Sequence, residues 1–154
     1  MSEWPGDWEE RVRGRDCPMC AGGRPDETEY GIRIKAGENS DVYLQKRGTV
    51  RGYAIVIWRG RHVAEPTELS WEEASGYWRE VLKAAAALEK QFRPVKMNIE
   101  MLGNTTPHLH THLRPRYLDD PAPFGPLPHG SDYPPFPEDQ LRSDAEALKR
   151  LLAS

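Results

Sequence analysis

The chain has no apolar stretch approaching the roughly 20 residues that a membrane-spanning helix needs. Its opening segment, residues 1–10, contains neither a basic nor an apolar run, so no secretory leader is expected. Charge of one sign does not dominate: 21 Lys and Arg against 24 Asp and Glu give a formal net charge of −3, with a pI ≈ 6.0. A non-specific nucleic-acid binder needs a basic footprint, so duplex binding is not expected. Internal repeats and a flexible Gly/Ser linker are lacking too. At 154 residues the chain is long enough for one domain with a real core and short for two. A cytoplasmic, single-domain protein spanning residues 1–154 follows as the expectation.

Cysteine is scarce, with two residues placed as Cys17-Pro18-Met19-Cys20. In a reducing compartment that spacing suggests metal or redox chemistry rather than a structural disulfide. A thioredoxin-type redox pair would sit between a strand and a helix. Here the pair follows an acidic, Trp-containing leader and precedes a turn, Ala21-Gly22-Gly23-Arg24-Pro25, a context that fits a metal knuckle better.

The regular elements read as follows. Residues 1–16 form an irregular arm or short helix, with Trp4 and Trp8 as candidate anchors, and residues 21–29 are turn-rich. Strands are expected at Tyr30 to Lys35, Asp41 to Gln45 and Gly52 to Trp58, the last a nearly continuous apolar and β-branched run. Ser70 with Glu73 three residues on makes a capping box. The spacing of Ala74, Trp78, Val81, Ala85, Leu88 and Phe92 gives the helix behind it one apolar stripe, and Pro94 ends it. Val95 to Met101 alternates apolar and polar as a half-buried strand does. From Leu118 to Pro137 the chain is Pro-rich and cannot be regular helix or central strand. A last helix opens at Pro137, with Leu141, Ala145, Leu148 and Leu152 as its apolar stripe. The fold class is α+β: an antiparallel sheet with one main helix in a core of about residues 15–117, then a Pro-rich extension and terminal helix over 118–154.

Three of the five histidines stand at alternate positions in Pro107-His108-Leu109-His110-Thr111-His112-Leu113-Arg114-Pro115-Arg116. A strand puts i, i+2 and i+4 on one face, so His108, His110 and His112 are expected as a row backed by Leu109, Thr111 and Leu113. Histidine titrates near neutrality and serves as nucleophile, acid, base or metal ligand.

This run resembles the histidine-triad (HIT) superfamily of nucleotide hydrolases and transferases, whose signature is His-x-His-x-His followed by Pro-Arg, here Pro115-Arg116. The polar Thr111 departs mildly from the family's apolar x positions. Gly52 to His62 is similar to the family's Gly-rich strand ending in a Lys/Arg-x-His turn, and Leu69-Ser70 before a helix also matches. Asn98 to Tyr117 resembles a bacterial branch of diadenosine-polyphosphate hydrolases. The resemblance covers about residues 15 to 117 and implies a HIT-like fold, a nucleotide or dinucleoside polyphosphate as substrate, and a homodimer.

The resemblance also implies roles. Attack of an imidazole on an α-phosphate needs an unprotonated nitrogen and donors on the phosphoryl oxygens. His110 is the family's nucleotidylated residue. His112 contacts the phosphate and helps the leaving group. Asn104, Thr105, Asn98 and Arg116 stand where the phosphate or ligand is met. Family members with an N-terminal CxxC complete a zinc site with the His after the strand and the first triad His, here Cys17, Cys20, His62 and His108. Many members hold ribose with a carboxylate seven residues before the strand glycine. Gln45 stands there, so sugar discrimination is expected to be weak. Competing readings are a phosphorylase or transferase using an acceptor other than water, a non-catalytic nucleotide- or partner-binding zinc protein, and a structural module with the triad as metal ligands.

Overall fold

A computed structural model describes residues 3–129 and 132–153. Five strands form one antiparallel sheet in the order β1-β2-β3-β5-β4: β1 (Gly31–Ala36), β2 (Ser40–Gln45), β3 (Ala54–Trp58), β4 (Lys96–Glu100) and β5 (His110–Arg116). The expected strands are all present. Two short helices open the chain, α1 (Trp8–Val12) and α2 (Pro18–Ala21); the second is the cysteine knuckle itself, with Cys17 as its N-cap and Cys20 within it. Trp4 and Trp8 pack on one another with ring centroids 4.6 Å apart.

The main helix, α3 (Trp71–Phe92), follows a 3-10 turn at Pro66–Glu68 and carries the expected cap. Ser70 Oγ accepts from the Glu73 amide while the Glu73 carboxylate accepts from the Ser70 amide. The helix buries Tyr77, Val81, Ala84, Ala85 and Leu88 against one face of the sheet. Arg93 in the left-handed region closes it just before Pro94. Gly52, at φ +86°, has no room for a side chain: a Cβ there would stand 2.7 Å from the Phe92 ring. In β3, Ala54, Val56 and Trp58 turn to the helix, while Ile55 and Ile57 turn to the opposite face. Tyr77 reaches across the core, its hydroxyl 3.2 Å from the Val56 carbonyl and 2.7 Å from Thr111 Oγ1.

The terminal helix α4 (Glu138–Leu152) packs on β1 and α3 through Leu141, Ala145, Leu148 and Leu152. Arg51 grips Asp144 with two bonds of 2.9 and 2.7 Å. Between β5 and α4 the Pro-rich extension crosses the face away from α3. Pro128 and Gly125 give their carbonyls to Arg114 and Arg116, and Phe136 N donates to the Lys46 carbonyl at 2.9 Å. Among the described residues no helix is long and apolar enough to cross a membrane.

Candidate functional site

Strand β5 places alternate side chains on the face away from α3, and its register with β3 sets His110 opposite Ile57 and His112 opposite Ile55. Thr111 and Leu113 point to the core, as expected. His108 differs from the expected row. The strand begins at His110. Ahead of it, Leu109 is tied by its amide to Val63 O and by its carbonyl to Trp58 N, and the His108 ring turns towards the cysteines.

That turn completes a cluster. Cys17, Cys20, His62 and His108 bring one donor atom each to within 4.8 Å of one another. Nδ1 of His108 lies 3.4 Å from Cys17 Sγ and 3.5 Å from Cys20 Sγ, and Nδ1 of His62 lies 3.3 Å from Cys20 Sγ. Both rings are held from behind. His108 Nε2 meets the Trp58 carbonyl at 2.7 Å, and His62 Nε2 meets the Val12 carbonyl at 3.0 Å. A carbonyl only accepts, so each Nε2 carries the proton and each Nδ1 presents a lone pair to the sulfurs. Gly14 lets the arm come this close: at φ +103° it stands against the His62 ring, where a Cβ would be 3.0 Å from Cγ. The cluster fits zinc. A tetrahedral ion with Zn–S about 2.3 Å and Zn–N about 2.0 Å sets S and N roughly 3.5 Å apart, and neutral His backed by a carbonyl is the usual supporting arrangement. Burial and the adjacent Cys17 push the Cys20 thiol up to about 11, so two thiolates here call for a cation.

Two residues on, the same side chain is set differently. His110 Nδ1 lies 2.6 Å from the His108 carbonyl. Nδ1 therefore carries the proton and Nε2 is a bare lone pair. Burial lowers the His110 pKa, against a raising effect of that hydrogen bond, which keeps the ring neutral. His112 Nδ1 lies 2.6 Å from the Tyr53 hydroxyl. Burial is the first cause that pushes His112 down to about 3, followed by the charges of His110, Arg114 and His129. The two rings meet edge to face with centroids 5.0 Å apart.

The remaining expected site residues divide. Asn104 and Thr105 are exposed on the loop before β5. Asn98 and Arg116 are joined to each other instead: Asn98 Oδ1 accepts from Arg116 Nη1 at 2.6 Å. Arg116 also grips Asp120 and donates to the Gly125 and Ala122 carbonyls. Its nitrogens are thereby engaged in holding the extension. Gln45, at the position of the expected ribose carboxylate, is buried and donates its amide to Tyr43 O at 3.1 Å.

Residues 32–119 match the HIT domain family. The chain belongs to this family. The protein "hit" of Bacillus subtilis (strain 168) is 29% identical over 145 residues, covering 90% of this chain and 94% of its own length. A histidine triad protein from Bradyrhizobium japonicum superposes with a TM-score of 0.72 at 24% identity, over 79% of this chain and 90% of that one. A Zn-bound histidine triad family protein from Mycobacterium smegmatis superposes with a TM-score of 0.62 at 24% identity, over 90% of this chain and 94% of that one.

Sequence reading missed three neighbours of this HIT-family triad: Tyr53, Glu100 and His129. The strand pairings set Arg114 across from Asn98, and Glu100 across from His112. Parity along β3 places Tyr53 on the face of Ile55, a signal that needs the register to be read. His129 sits in the Pro-rich extension, where no periodicity exists to place it.

Proposed function

We propose that this HIT-family protein is a nucleotidyl hydrolase or transferase that works through a covalent nucleotidyl-His110 intermediate. The observation that carries the reading is the tautomer of His110, with Nδ1–H on the His108 carbonyl and Nε2 bare on the sheet face away from α3. Family membership supports action on nucleotides, and a dinucleoside polyphosphate is the substrate class of the branch that the chain resembles. Nε2 attacks the α-phosphorus and the P–O bond to the leaving phosphate breaks. The leaving group departs with the electron pair as an anion. Positive charge on the phosphorylated ring then falls on Nδ1–H, which already faces a carbonyl oxygen. Water next attacks the same phosphorus, the P–N bond breaks, neutral His110 returns and the water's proton passes to solvent. His112 donates to a phosphoryl or leaving oxygen, and Asn104 and Thr105 supply an amide and a hydroxyl.

Cys17, Cys20, His62 and His108 hold zinc in this reading, which is supported by the donor set and by a zinc-bound family member of the same fold. A structural ion there would fix the segment whose carbonyl orients His110. The protein acts in the cytoplasm, where the thiols stay reduced. It pairs as a homodimer. The open edge of β4 with its exposed Ile99, the exposed Val95 just before it, and the exposed Trp78 and Leu82 of α3 are consistent with that assembly.

The test is trapping. Protein quenched during incubation with a panel of dinucleoside polyphosphates and nucleoside phosphoramidates should gain the mass of one nucleotidyl group, mapped to the peptide containing His110. The buried Gln45 favours a second reading, a non-catalytic binding protein, which predicts nucleotide binding with no adduct on any substrate.

A further inference from the structure

His112 is tied to its neighbours by a hydrogen bond and by ring contacts. Arg114 lies over the Tyr53 ring, its Cζ 4.5 Å from the ring centroid. Arginine only donates. Burial raises the Tyr53 pKa, against a lowering by the Arg114 charge, so the phenol keeps its proton and has one to donate. It meets His112 Nδ1 at 2.6 Å, and of the two groups the phenol is the stronger donor and the imidazole nitrogen the stronger acceptor. With Nδ1 accepting, a neutral His112 must carry its proton on Nε2. The two rings lie nearly parallel, 22° apart, so the imidazole plane is held as well as its tautomer.

Arg114 is itself positioned from the extension. Its Nη2 lies 2.6 Å from His129 Nδ1, which can only be the acceptor. His129 Nε2 then carries the proton and donates to Glu100 Oε2 at 3.0 Å. The His129 ring meets the edge of His112 with centroids 5.3 Å apart. The two bonds of His129 each have one permitted direction, Arg114 to His129 and His129 to Glu100; the third, between Tyr53 and His112, joins two groups that can each donate or accept.

We infer that Tyr53 is a positioning residue that fixes His112 as an Nε2–H donor, and that His129 of the Pro-rich extension keeps Arg114 over Tyr53. The role assigned to the His112 proton rests on the nucleotidyl-transfer reading; the tautomer itself does not. The extension is thereby part of the site, not only a wrapping. Tyr53→Phe removes one hydroxyl and keeps the ring, and His129→Gln keeps an acceptor and a donor where His129→Ala keeps neither.

Long-range proton–nitrogen correlation spectra of the full chain, wild type and Tyr53→Phe, test this directly. The wild type should carry the His112 proton on Nε2, and Tyr53→Phe should mix the two tautomers. An unchanged His112 pattern in Tyr53→Phe overturns the assignment. Turnover adds a second measure. In Tyr53→Phe kcat should fall roughly tenfold, the scale of one lost hydrogen bond. KM should move less than twofold, and the fall should be larger for a poor leaving group than for a good one. His129→Ala should fall in the same direction, and His129→Gln should restore most of it. Equal losses for both leaving groups, or a change in KM alone, contradict the inference. A protein that turns over no substrate refutes the proposed function, while the spectra still decide the role of Tyr53.

Discussion

His108 and His110 are two residues apart, yet their rings are set in opposite tautomers. His108 gives its Nε2 proton to the Trp58 carbonyl and turns Nδ1 to the thiols; His110 gives its Nδ1 proton to the His108 carbonyl and leaves Nε2 free. In the proposed reading the carbonyl that stands nearby makes one a ligand and the other a nucleophile. His112, two residues further on, meets the Tyr53 hydroxyl at 2.6 Å and by the inference above is set as a donor through Nε2. The lesson is that residue type sets the menu of chemistry and the backbone chooses from it.

The largest expected effect comes from removing the free Nε2. His110→Ala should lower turnover by on the order of a thousandfold or more, as loss of a covalent nucleophile does. The fold and metal content should stay intact, because the side chain makes no contact with the cysteines. Initial rates with metal analysis check this, and more than a few per cent residual activity would place the nucleophile elsewhere.

The ligand half of the comparison breaks through Cys17. Cys17→Ser should lose about one zinc per chain and melt roughly 10 °C lower. That estimate takes about 2–4 °C per kcal/mol for a chain of this size and several kcal/mol from a structural ion. Activity should fall less than in His110→Ala, through loosening of the His108 carbonyl. Equal melting temperatures with no metal in either protein would remove the zinc assignment.

Much of this was legible in the sequence, for identifiable reasons. The capping box at Ser70 follows from local chemistry, as do Val81, Ala85 and Leu88 of the α3 stripe; Trp78 was expected in that stripe but is exposed, with Tyr77 buried beside it, and of the apolar residues of β4 only Met97 is buried. The ligand set Cys17, Cys20, His62 and His108, brought together here, came from the family's pattern and not from spacing alone. Arg116 and Asn98 show what was not legible. Both were expected at the phosphate, and their residue types allow it. The structure joins them to each other and to Asp120 because the extension folds back across β5. A Pro-rich segment carries no periodicity, so neither that return nor the arrival of His129 beside His112 can be read from the chain.

Two smaller effects sharpen the contrast between recognition and chemistry. Gln45 is neutral, buried and bonded to its own strand. Charge-assisted bonds are roughly twice as strong as neutral ones. Matched ribose and deoxyribose substrates should therefore differ by less than about a hundredfold in kcat/KM, and Gln45→Asp should widen the ratio. A larger wild-type preference would mean that another residue reads the sugar.

Acid stability offers the finest probe. His112 is pushed from 6.5 down to about 3, first by burial. Above pH 6.5 neither folded nor unfolded chain binds this proton, and no penalty arises. Between those values the unfolded chain takes a proton that the folded protein refuses, so stability falls with pH. From about pH 7 to about pH 4.5 the melting temperature of His112→Asn should drop a few degrees less than that of the wild type. Superimposed profiles would show that the ring is not desolvated.

The central claim is that neighbouring groups assign each histidine its chemistry. Long-range proton–nitrogen correlation spectra of the wild-type protein at neutral pH test it in one experiment. The account predicts protons on Nε2 of His62, His108 and His112, and on Nδ1 of His110 alone among the four. A proton on Nε2 of His110 would contradict it, since the nitrogen assigned to attack would then have no lone pair to give.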